Sequence, residues 1–271
     1  MDKKVVNNDN VAVDDLSCFY LPKDNEIQIF EHAFNNQLPV LIKGPTGCGK
    51  TRFISFMANK LELELNTVAC HDDLTAADLV GRHLLKGGET TWQDGPLTKA
   101  VRNGGICYLD EIVEARKDTT VVLHPLSDDR RILPIERTDE LLNAPDDFML
   151  VVSYNPGYQN LLKGMKPSTK QRFITLRFDY PSLDVEIEVI CRQTGIDRTM
   201  ATQLVEMAIM LRQLKDHDLE EAVSTRLIIY TATLIKAGLD VPSAIKAAML
   251  EPMSDEQATI DALYEVISLK L

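Results

Sequence analysis

The sequence contains few of the features that mark secreted, membrane or nucleic-acid-binding proteins. Its five cysteines form no C-x-x-C pair, so they indicate neither a redox motif nor a zinc site. No apolar run approaches the roughly 18 residues of a membrane helix, and the polar start MDKKVVNNDNVAVDD lacks the apolar segment of a secretory signal. Basic residues are in deficit, with 29 Lys and Arg against 41 Asp and Glu and a net charge of −12. We therefore expect a cytoplasmic protein that binds no nucleic acid and does not insert into a membrane.

What is present is the composition of a folded protein. Of the 271 residues, 45% are hydrophobic, and 13 glycines and 12 prolines are spread without low-complexity bias. At roughly 150 residues a domain, this length predicts about two domains. Short apolar runs alternate with helical patterns, and the runs lie at 39–43, 63–69, 105–109, 149–154 and 174–178. This alternation predicts an α/β fold, in which helices cover a parallel sheet.

Beyond residue 180 the strand pattern stops. Helical patterns follow, at 184–193, 199–214, 224–236, 243–250 and 255–269. Breakers such as Pro242 and Pro252 separate them. The sequence therefore predicts a polar tail at 1–19, an α/β core at 20–180 and a small helical domain at 181–271.

The strongest chemical signal is a glycine-rich loop between the first strand and a helical pattern. The loop matches G-x-x-x-x-G-K-[ST] and consists, together with the next residue, of Gly44, Pro45, Thr46, Gly47, Cys48, Gly49, Lys50, Thr51 and Arg52. Glycines let backbone N–H groups turn towards a phosphate, and the N-terminus of the following helix favours negative charge. We expect Lys50 to reach the β and γ phosphates of a nucleotide and Thr51 to bind Mg²⁺.

Two acidic residues, Asp110 and Glu111, end the strand at 105–109. Asp110 is placed to join the Mg²⁺ shell, and Glu111 is placed to polarise an attacking water molecule. The same pair could instead cap a helix. Together with the phosphate loop, however, it predicts nucleotide hydrolysis.

Seven stretches carry a more specific pattern: GPTGCGKTRF, CHDDLTAADLVGRHLL, TTWQDGPLTKA, ICYLDEIVEARKDTT, HPLSDDRRILPI, VVSYNPGYQN and KPSTKQRF. Together they resemble AAA+ ATPases of the MoxR branch, specifically the CbbQ and NorQ/NirQ group. The resemblance implies an AAA+ P-loop core with a five-stranded parallel sheet in the order 5-1-4-3-2, followed by a helical lid. It also implies a homo-oligomeric ring, commonly a hexamer, with ATP and Mg²⁺ at the subunit interfaces.

The resemblance also implies roles for single residues. Asn155 matches the sensor that orients water and reads the γ-phosphate, although Asn-Pro-Gly is also a turn signal. Arg172 corresponds to an arginine finger given to the next subunit, because a guanidinium neutralises charge on the transferred phosphoryl group. Arg226 matches the second sensor at the start of a lid helix. Arg130 and Arg131 are competing candidates for the finger.

Two insertions point towards action on another protein. Residues 77–82 match a loop that faces the central pore in the family, with Leu79, Val80 and Gly81 as its pore-facing residues. A hairpin tip is predicted at 86–89, and a second hairpin is predicted to begin at 130–135. The pore loop lacks an aromatic residue, so we expect limited remodelling of a client instead of threading.

The resemblance implies an ATP-driven motor that works with a partner carrying a von Willebrand A domain, of the CbbO or NorD type. CbbQ-type members reactivate Rubisco by removing inhibitory sugar phosphates, whereas NorQ/NirQ-type members help mature nitric oxide reductase. Rubisco activation is the first hypothesis and reductase maturation the alternative. A nucleotide-gated ring scaffold is a rival from another class. A small-molecule kinase is disfavoured, because Glu111 and Asn155 suit water as the nucleophile.

Overall fold

The computed structural model describes residues 19–156, 165–214 and 222–268. The predicted tail lies almost entirely outside them. Strands and helices both occur as far as β9, and only helices follow. In chain order the elements are α1 (Glu26–Asn35), β1 (Val40–Lys43), α2 (Lys50–Lys60), β2 (Leu65–Ala69), α3 (Ala76–Val80), β3 (Gly81–Lys86), β4 (Glu89–Asp94), α4 (Pro96–Asn103), β5 (Gly105–Asp110), α5 (Lys117–Val121), β6 (Ile132–Ile135), β7 (Glu140–Asn143), β8 (Phe148–Tyr154), α6 (Pro167–Lys170), β9 (Ile174–Arg177), α7 (Leu183–Thr194), α8 (Arg198–Gln213), α9 (Thr225–Lys236), α10 (Val241–Ile245) and α11 (Gln257–Ser268).

Five parallel strands form the central sheet in the order β2-β5-β8-β1-β9. Counted along the chain as sheet strands one to five, this order is 5-1-4-3-2 when it is read from β9. Each of the five predicted apolar runs forms one of these strands. Because the strands are parallel, the loops that follow β1, β5 and β8 all lie at the carboxyl ends of the strands. Most of the residues predicted to carry the chemistry lie in or next to these loops.

The sheet is buried on both faces, which explains its continuous apolar runs. Along β8, Met149 and Val151 contact one apolar cluster, whereas Leu150 and Val152 contact the other. Residues of α1 and α2 complete the first cluster, and residues of α3 and α4 complete the second. The helices therefore pack on both faces of the sheet and fix the position of the loops at the carboxyl ends of its strands.

Helices α7 to α11 share a separate apolar cluster that includes Leu204, Ile228 and Met249. One predicted helix, at 243–250, differs from the structure. It begins earlier, at Val241, and changes into a π-helical turn at Lys246–Leu250. Pro242 lies in its first turn, where the missing N–H costs no hydrogen bond, and does not separate two helices as predicted. None of the helices within the described residues is long and apolar enough to span a membrane.

Both predicted hairpins are present. β3 pairs with β4, and β6 pairs with β7, in each case antiparallel. Arg102 of α4 joins them, because its guanidinium contacts Asp94 at the end of β4 at 2.8 Å and both carboxylate oxygens of Glu140 in β7 at 2.6 Å. The two hairpins are therefore connected to each other through α4.

Candidate active site

The loop between β1 and α2 has the conformation that its glycines predict. Gly47 and Gly49 adopt φ angles of +67° and +98°, in the left-handed region that glycine enters without strain. A Cβ atom on Gly47 would lie only 2.6 Å from the side chain of Ser224, just before α9. The loop therefore contacts the helical part of the chain closely. Arg52 follows in the first turn of α2 and is partly exposed.

Lys50, the first residue of α2, is held within this loop. The residue is 7% exposed, and its Nζ donates hydrogen bonds to the carbonyls of Gly44 and Pro45 at 2.9 and 2.8 Å. A third bond, of 2.5 Å, goes to Oδ1 of Asn155 after β8. Burial lowers the pKa of Lys50, while nearby acidic groups oppose that shift. The loop thus places a cation where the phosphates of a nucleotide are predicted to bind.

Asp110 ends β5 with its two carboxylate oxygens in different surroundings. Oδ1 accepts hydrogen bonds from the hydroxyl groups of Tyr108, at 2.8 Å, and Ser153. Oδ2 faces Thr51, whose Oγ1 lies 3.4 Å away. Burial raises the pKa of Tyr108, so this phenol stays protonated as a donor. The two hydroxyl groups orient the carboxylate and leave Oδ2 for a ligand.

Thr51 and Asp110 fit the predicted magnesium ion. Mg²⁺ prefers oxygen ligands, and it usually retains waters and substrate phosphates, so that one or two protein groups suffice. Here a hydroxyl and one oxygen of an oriented carboxylate lie side by side at the phosphate loop. These two oxygen groups are therefore ligands of the kind that would hold a nucleotide-bound Mg²⁺.

Asn155 connects Glu111 to the phosphate loop. Its Nδ2 donates to Oε1 of Glu111 and to Oγ1 of Thr46, each at 3.2 Å, in addition to the bond that its Oδ1 accepts from Lys50. Glu111 has a φ of +56°, a value that is uncommon for residues with a side chain and that clusters at active sites. Its carboxylate is exposed to solvent. The arrangement can hold a water molecule beside a bound phosphate.

The two predicted arginines lie in different places. Arg226, in the first turn of α9, borders its own phosphate loop, with its Cβ 3.4 Å from where a Cβ on Gly47 would lie. Arg172 directly precedes Phe173 and β9, and its guanidinium contacts the carbonyl of Ser168 at 3.5 Å. Because β9 runs parallel to β1, the residue before β9 lies at the amino ends of the strands, whereas the loop after β1 lies at their carboxyl ends. Within one subunit, the structure therefore places Arg226 at the phosphate loop and Arg172 away from it.

The prediction that Leu79 faces a pore is wrong. The segment forms α3, whose start is capped by reciprocal hydrogen bonds between Thr75 and Asp78. Leu79 is 0% exposed and belongs to the same apolar cluster as Leu97 of α4. The short helix turns this side chain inwards, because a helix presents only one of its faces to solvent.

The neighbouring hairpin presents an apolar side chain instead. Val80 is partly buried and Gly81 begins β3. Leu85, one residue from the end of β3, is 78% exposed. It lies opposite Thr90 in the register of the hairpin, so it projects at the end farthest from α3. If this insertion contacts a client, Leu85 has the exposure that Leu79 lacks.

The prediction of site residues missed Tyr108 and Ser153, which orient Asp110. For Tyr108 a signal was available, because residues two positions apart on a strand lie on the same face and Tyr108 precedes Asp110 by two positions in β5. Ser153 lies in β8, so no local spacing relates it to Asp110. Ser153 also accepts a hydrogen bond from the backbone N–H of Glu111 at 3.3 Å. It therefore contacts both acidic residues of the site.

A cavity of about 160 Å³ adjoins the phosphate loop. Its wall includes Cys48 from the loop, Tyr20 and Ile29 from the N-terminal side, and Phe178 after β9. Burial raises the pKa of the Cys48 thiol, which favours its neutral form. Charged side chains, among them Lys23, Glu26 and Asp179, line the cavity together with these apolar groups.

Two family models match the chain. Residues 39–173 match the AAA domain of the dynein-related subfamily, and residues 186–270 match the CbbQ/NirQ/NorQ C-terminal family. The first match contains the phosphate loop, both acidic residues, Asn155 and Arg172. The second contains Arg226.

Similar proteins span nearly the whole chain. The denitrification regulatory protein NirQ of Pseudomonas aeruginosa is 59% identical over 94% of this chain and 98% of its own length. Protein NorQ of Paracoccus denitrificans is 60% identical, with 94% of each chain covered. Protein CbbQ of Hydrogenophilus thermoluteolus is 53% identical over 88% of this chain and 89% of its own. Among solved structures, the Holliday junction branch migration motor RuvB of Thermotoga maritima has a TM-score of 0.53 at 16% identity, covering 89% of this chain and 67% of its own, which shows a common fold.

Proposed function

Because the chain belongs to the CbbQ/NirQ/NorQ group of AAA+ ATPases, we propose that it uses ATP hydrolysis to remodel an enzyme of denitrification, and that this client is nitric oxide reductase. The observation that carries the proposal is the higher identity to NirQ and NorQ, at 59 and 60%, than to CbbQ, at 53%. This difference reverses the order of the two client hypotheses that were drawn from the resemblance.

The chain's own residues divide the work of hydrolysis. Lys50 and the backbone of the loop would bind the β and γ phosphates, and Asp110 and Thr51 would hold Mg²⁺, whose charge would offset that of the phosphates. Glu111 accepts a proton from the attacking water, and Asn155 orients that water through its contact with Glu111. We assign the nucleobase to the cavity beside Cys48. Substitution of Lys50 tests the binding of the phosphates, and substitution of Glu111 tests proton transfer from the water.

The proposal includes an assembly. Residues 20–180 form the nucleotide-binding domain and residues 181–271 form the lid. The chain assembles into a cytoplasmic hexameric ring that acts with a von Willebrand A domain protein of the NorD type. The position of Arg172 supports a ring, since an arginine that lies away from its own phosphate loop is available to the loop of a neighbour. Arg226 completes the site from within the subunit.

The client assignment is tested by co-expressing nitric oxide reductase with the von Willebrand A domain partner, with or without this chain, in a host that lacks related ATPases. We expect membranes to reduce nitric oxide only when the chain is present, and the variant Glu111→Gln to give no activity because its ATP is not turned over. Equal reductase activity with and without the chain would contradict the assignment.

A second candidate client is Rubisco, favoured by the 53% identity to CbbQ over 88% of the chain. In this case the purified chain, its partner and ATP should restore carboxylation to Rubisco inhibited by a sugar phosphate. Recovery of Rubisco together with no effect on the reductase would establish this candidate in place of the first.

Replacing Leu85 with serine should separate client remodelling from ATP hydrolysis. The side chain is 78% exposed on a hairpin that lies away from the phosphate loop, so the ATPase rate should change by less than about two-fold. Loss of an apolar contact buried against a client costs about 2 kcal/mol, and client activation should therefore fall about 30-fold. The matched control is Leu38→Ser, which alters an exposed leucine just before β1. Unchanged client activation in Leu85→Ser would favour the rival scaffold, in which hydrolysis only times ring disassembly.

A further inference from the structure

A buried carboxylate in the helical part of the chain has no part in the proposed chemistry. Glu186 of α7 is 0% exposed. It accepts two hydrogen bonds from the guanidinium of Arg212 in α8, at 2.7 and 2.8 Å, and one of 2.5 Å from the hydroxyl of Thr225. A buried charge requires such complete compensation, so the three side chains constrain one another strongly. Thr225 is the first residue of α9 and directly precedes Arg226.

Arg212 extends this network towards the α/β core. Its Nε donates to the carbonyl of Val223 at 2.7 Å, so each guanidinium nitrogen has an acceptor. The guanidinium carbon lies 4.0 Å from the centroid of the Tyr180 ring, the geometry of a cation–π contact. The ion pair therefore supports the ring of Tyr180, which stands between β9 and α7.

Tyr180 connects the network to the phosphate loop. Its hydroxyl donates to the carbonyl of Thr46 at 3.3 Å, with the carbonyl of Ala222 next nearest at 3.5 Å. Burial raises the pKa of Tyr180 to about 12, so the hydroxyl keeps its proton at neutral pH. The other end of the network reaches the same loop, because Ser224 packs against Gly47.

The contacts form a closed circuit that runs from the loop through Tyr180, Arg212, Glu186 and the start of α9 back to the loop. We propose that this circuit positions Arg226 on the bound nucleotide, and that Tyr180, Arg212, Glu186 and Thr225 are positioning residues for ATP hydrolysis. This inference rests on the proposed role of Arg226. A shift of α9 would break the hydrogen bond from Thr225 to the buried carboxylate of Glu186, so the circuit holds Arg226 at one place.

The variant Tyr180→Phe tests the circuit, because it removes the hydroxyl and keeps the ring that Arg212 contacts. Loss of one neutral hydrogen bond should lower kcat/KM for ATP about five-fold, without lowering the melting temperature of the nucleotide-free protein by more than a few degrees. The matched control is Tyr230→Phe, since Tyr230 lies on α9 itself and is 54% exposed. It should retain the parent rate.

A double-mutant cycle separates positioning from mere support of the fold. If Tyr180 acts through Arg226, then Tyr180→Phe should have no further effect on ATPase activity once Arg226 is replaced by alanine. Additive losses would overturn the inference. If Arg226→Ala alone leaves hydrolysis unchanged, the proposed role of Arg226 fails first, and this outcome is distinct from additivity.

A second pair of variants covers the case in which Tyr180→Phe disturbs folding. Thr225→Val removes the hydroxyl bonded to Glu186, whereas Thr225→Ser keeps it. We expect the valine variant to lose at least about ten-fold in kcat/KM, because the lost hydrogen bond goes to a charged group, and the serine variant to recover most of the parent value. Equal activity in the two variants would overturn the inference.

Discussion

Replacing Lys50 with alanine is expected to abolish tight ATP binding, whereas replacing Glu111 with glutamine is expected to preserve binding and stop turnover. Lys50 is the cation that the loop holds at the proposed phosphate site, so its loss should weaken ATP affinity on the order of a hundredfold. Glutamine retains the size of Glu111 and its contact with Asn155 but accepts no proton, so kcat should fall on the order of a thousandfold. Titration with a fluorescent ATP analogue and a phosphate-release assay measure the two effects.

Lys60→Ala is the matched control, because Lys60 ends the same helix in a surface ion pair with Glu31 and should leave affinity and rate unchanged. Thermal unfolding checks that Lys50→Ala still folds. Equal loss of ATP affinity in the Lys50 and Glu111 variants would show that the role of Glu111 is assigned wrongly. In the Glu111→Gln protein, ATP should also persist at each interface, and light scattering should then detect the assembled ring.

Replacing Arg172 with alanine is expected to leave ATP binding close to that of the parent and to lower hydrolysis on the order of a thousandfold. Arg172 precedes β9 and lies at the amino ends of the strands, away from its own phosphate loop at their carboxyl ends. Its charge is therefore proposed to act on the nucleotide of a neighbouring subunit. The charge matters mainly in the transition state, where negative charge develops on the transferred phosphoryl group. The Arg172→Ala protein should therefore bind ATP normally but fail to hydrolyse it at the parent rate.

The structure weakens the two competing finger candidates. Arg130 contacts Asp128 at 2.7 Å in its own subunit. Arg131 donates to three backbone carbonyls, those of Gln37, Pro145 and Phe148, and so connects β8 to the segment before β1. Arg130→Ala is thus the control for an exposed arginine, and it should retain hydrolysis.

Mixing two inactive proteins tests whether Arg172 acts between subunits. Arg172→Ala keeps its phosphate loop, and Lys50→Ala keeps its Arg172, so in mixed rings an intact loop can meet an intact finger. Activity should exceed the sum of the separate proteins under conditions in which subunits exchange. Mixed rings that form without recovering activity would show that Arg172 acts within its own subunit or only supports the fold.

The sequence alone predicted the parts of the site that are formed by residues close to one another in the chain. The run from 39 to 51 combines an apolar strand, a glycine loop and a helix, and each step follows from contacts between near neighbours in the chain. Asp110 and Glu111 were found for the same reason, since they directly follow a buried strand. The alternation of strands and helices also predicted the sheet, because each apolar run is long enough to form one buried strand.

Contacts between distant segments decided the rest. Leu79 was predicted to face a pore and is buried, because α4 packs against the short helix that contains it. Ser153 contacts Asp110 only because β8 lies beside β5 in the sheet. The circuit from Thr46 through Tyr180 and Glu186 joins segments that lie far apart in the chain, so no local sequence pattern predicts it. The sequence therefore determined which groups are proposed to bind and cleave the nucleotide, while tertiary packing decided how they are oriented, since orientation depends on neighbours that only the folded chain brings together.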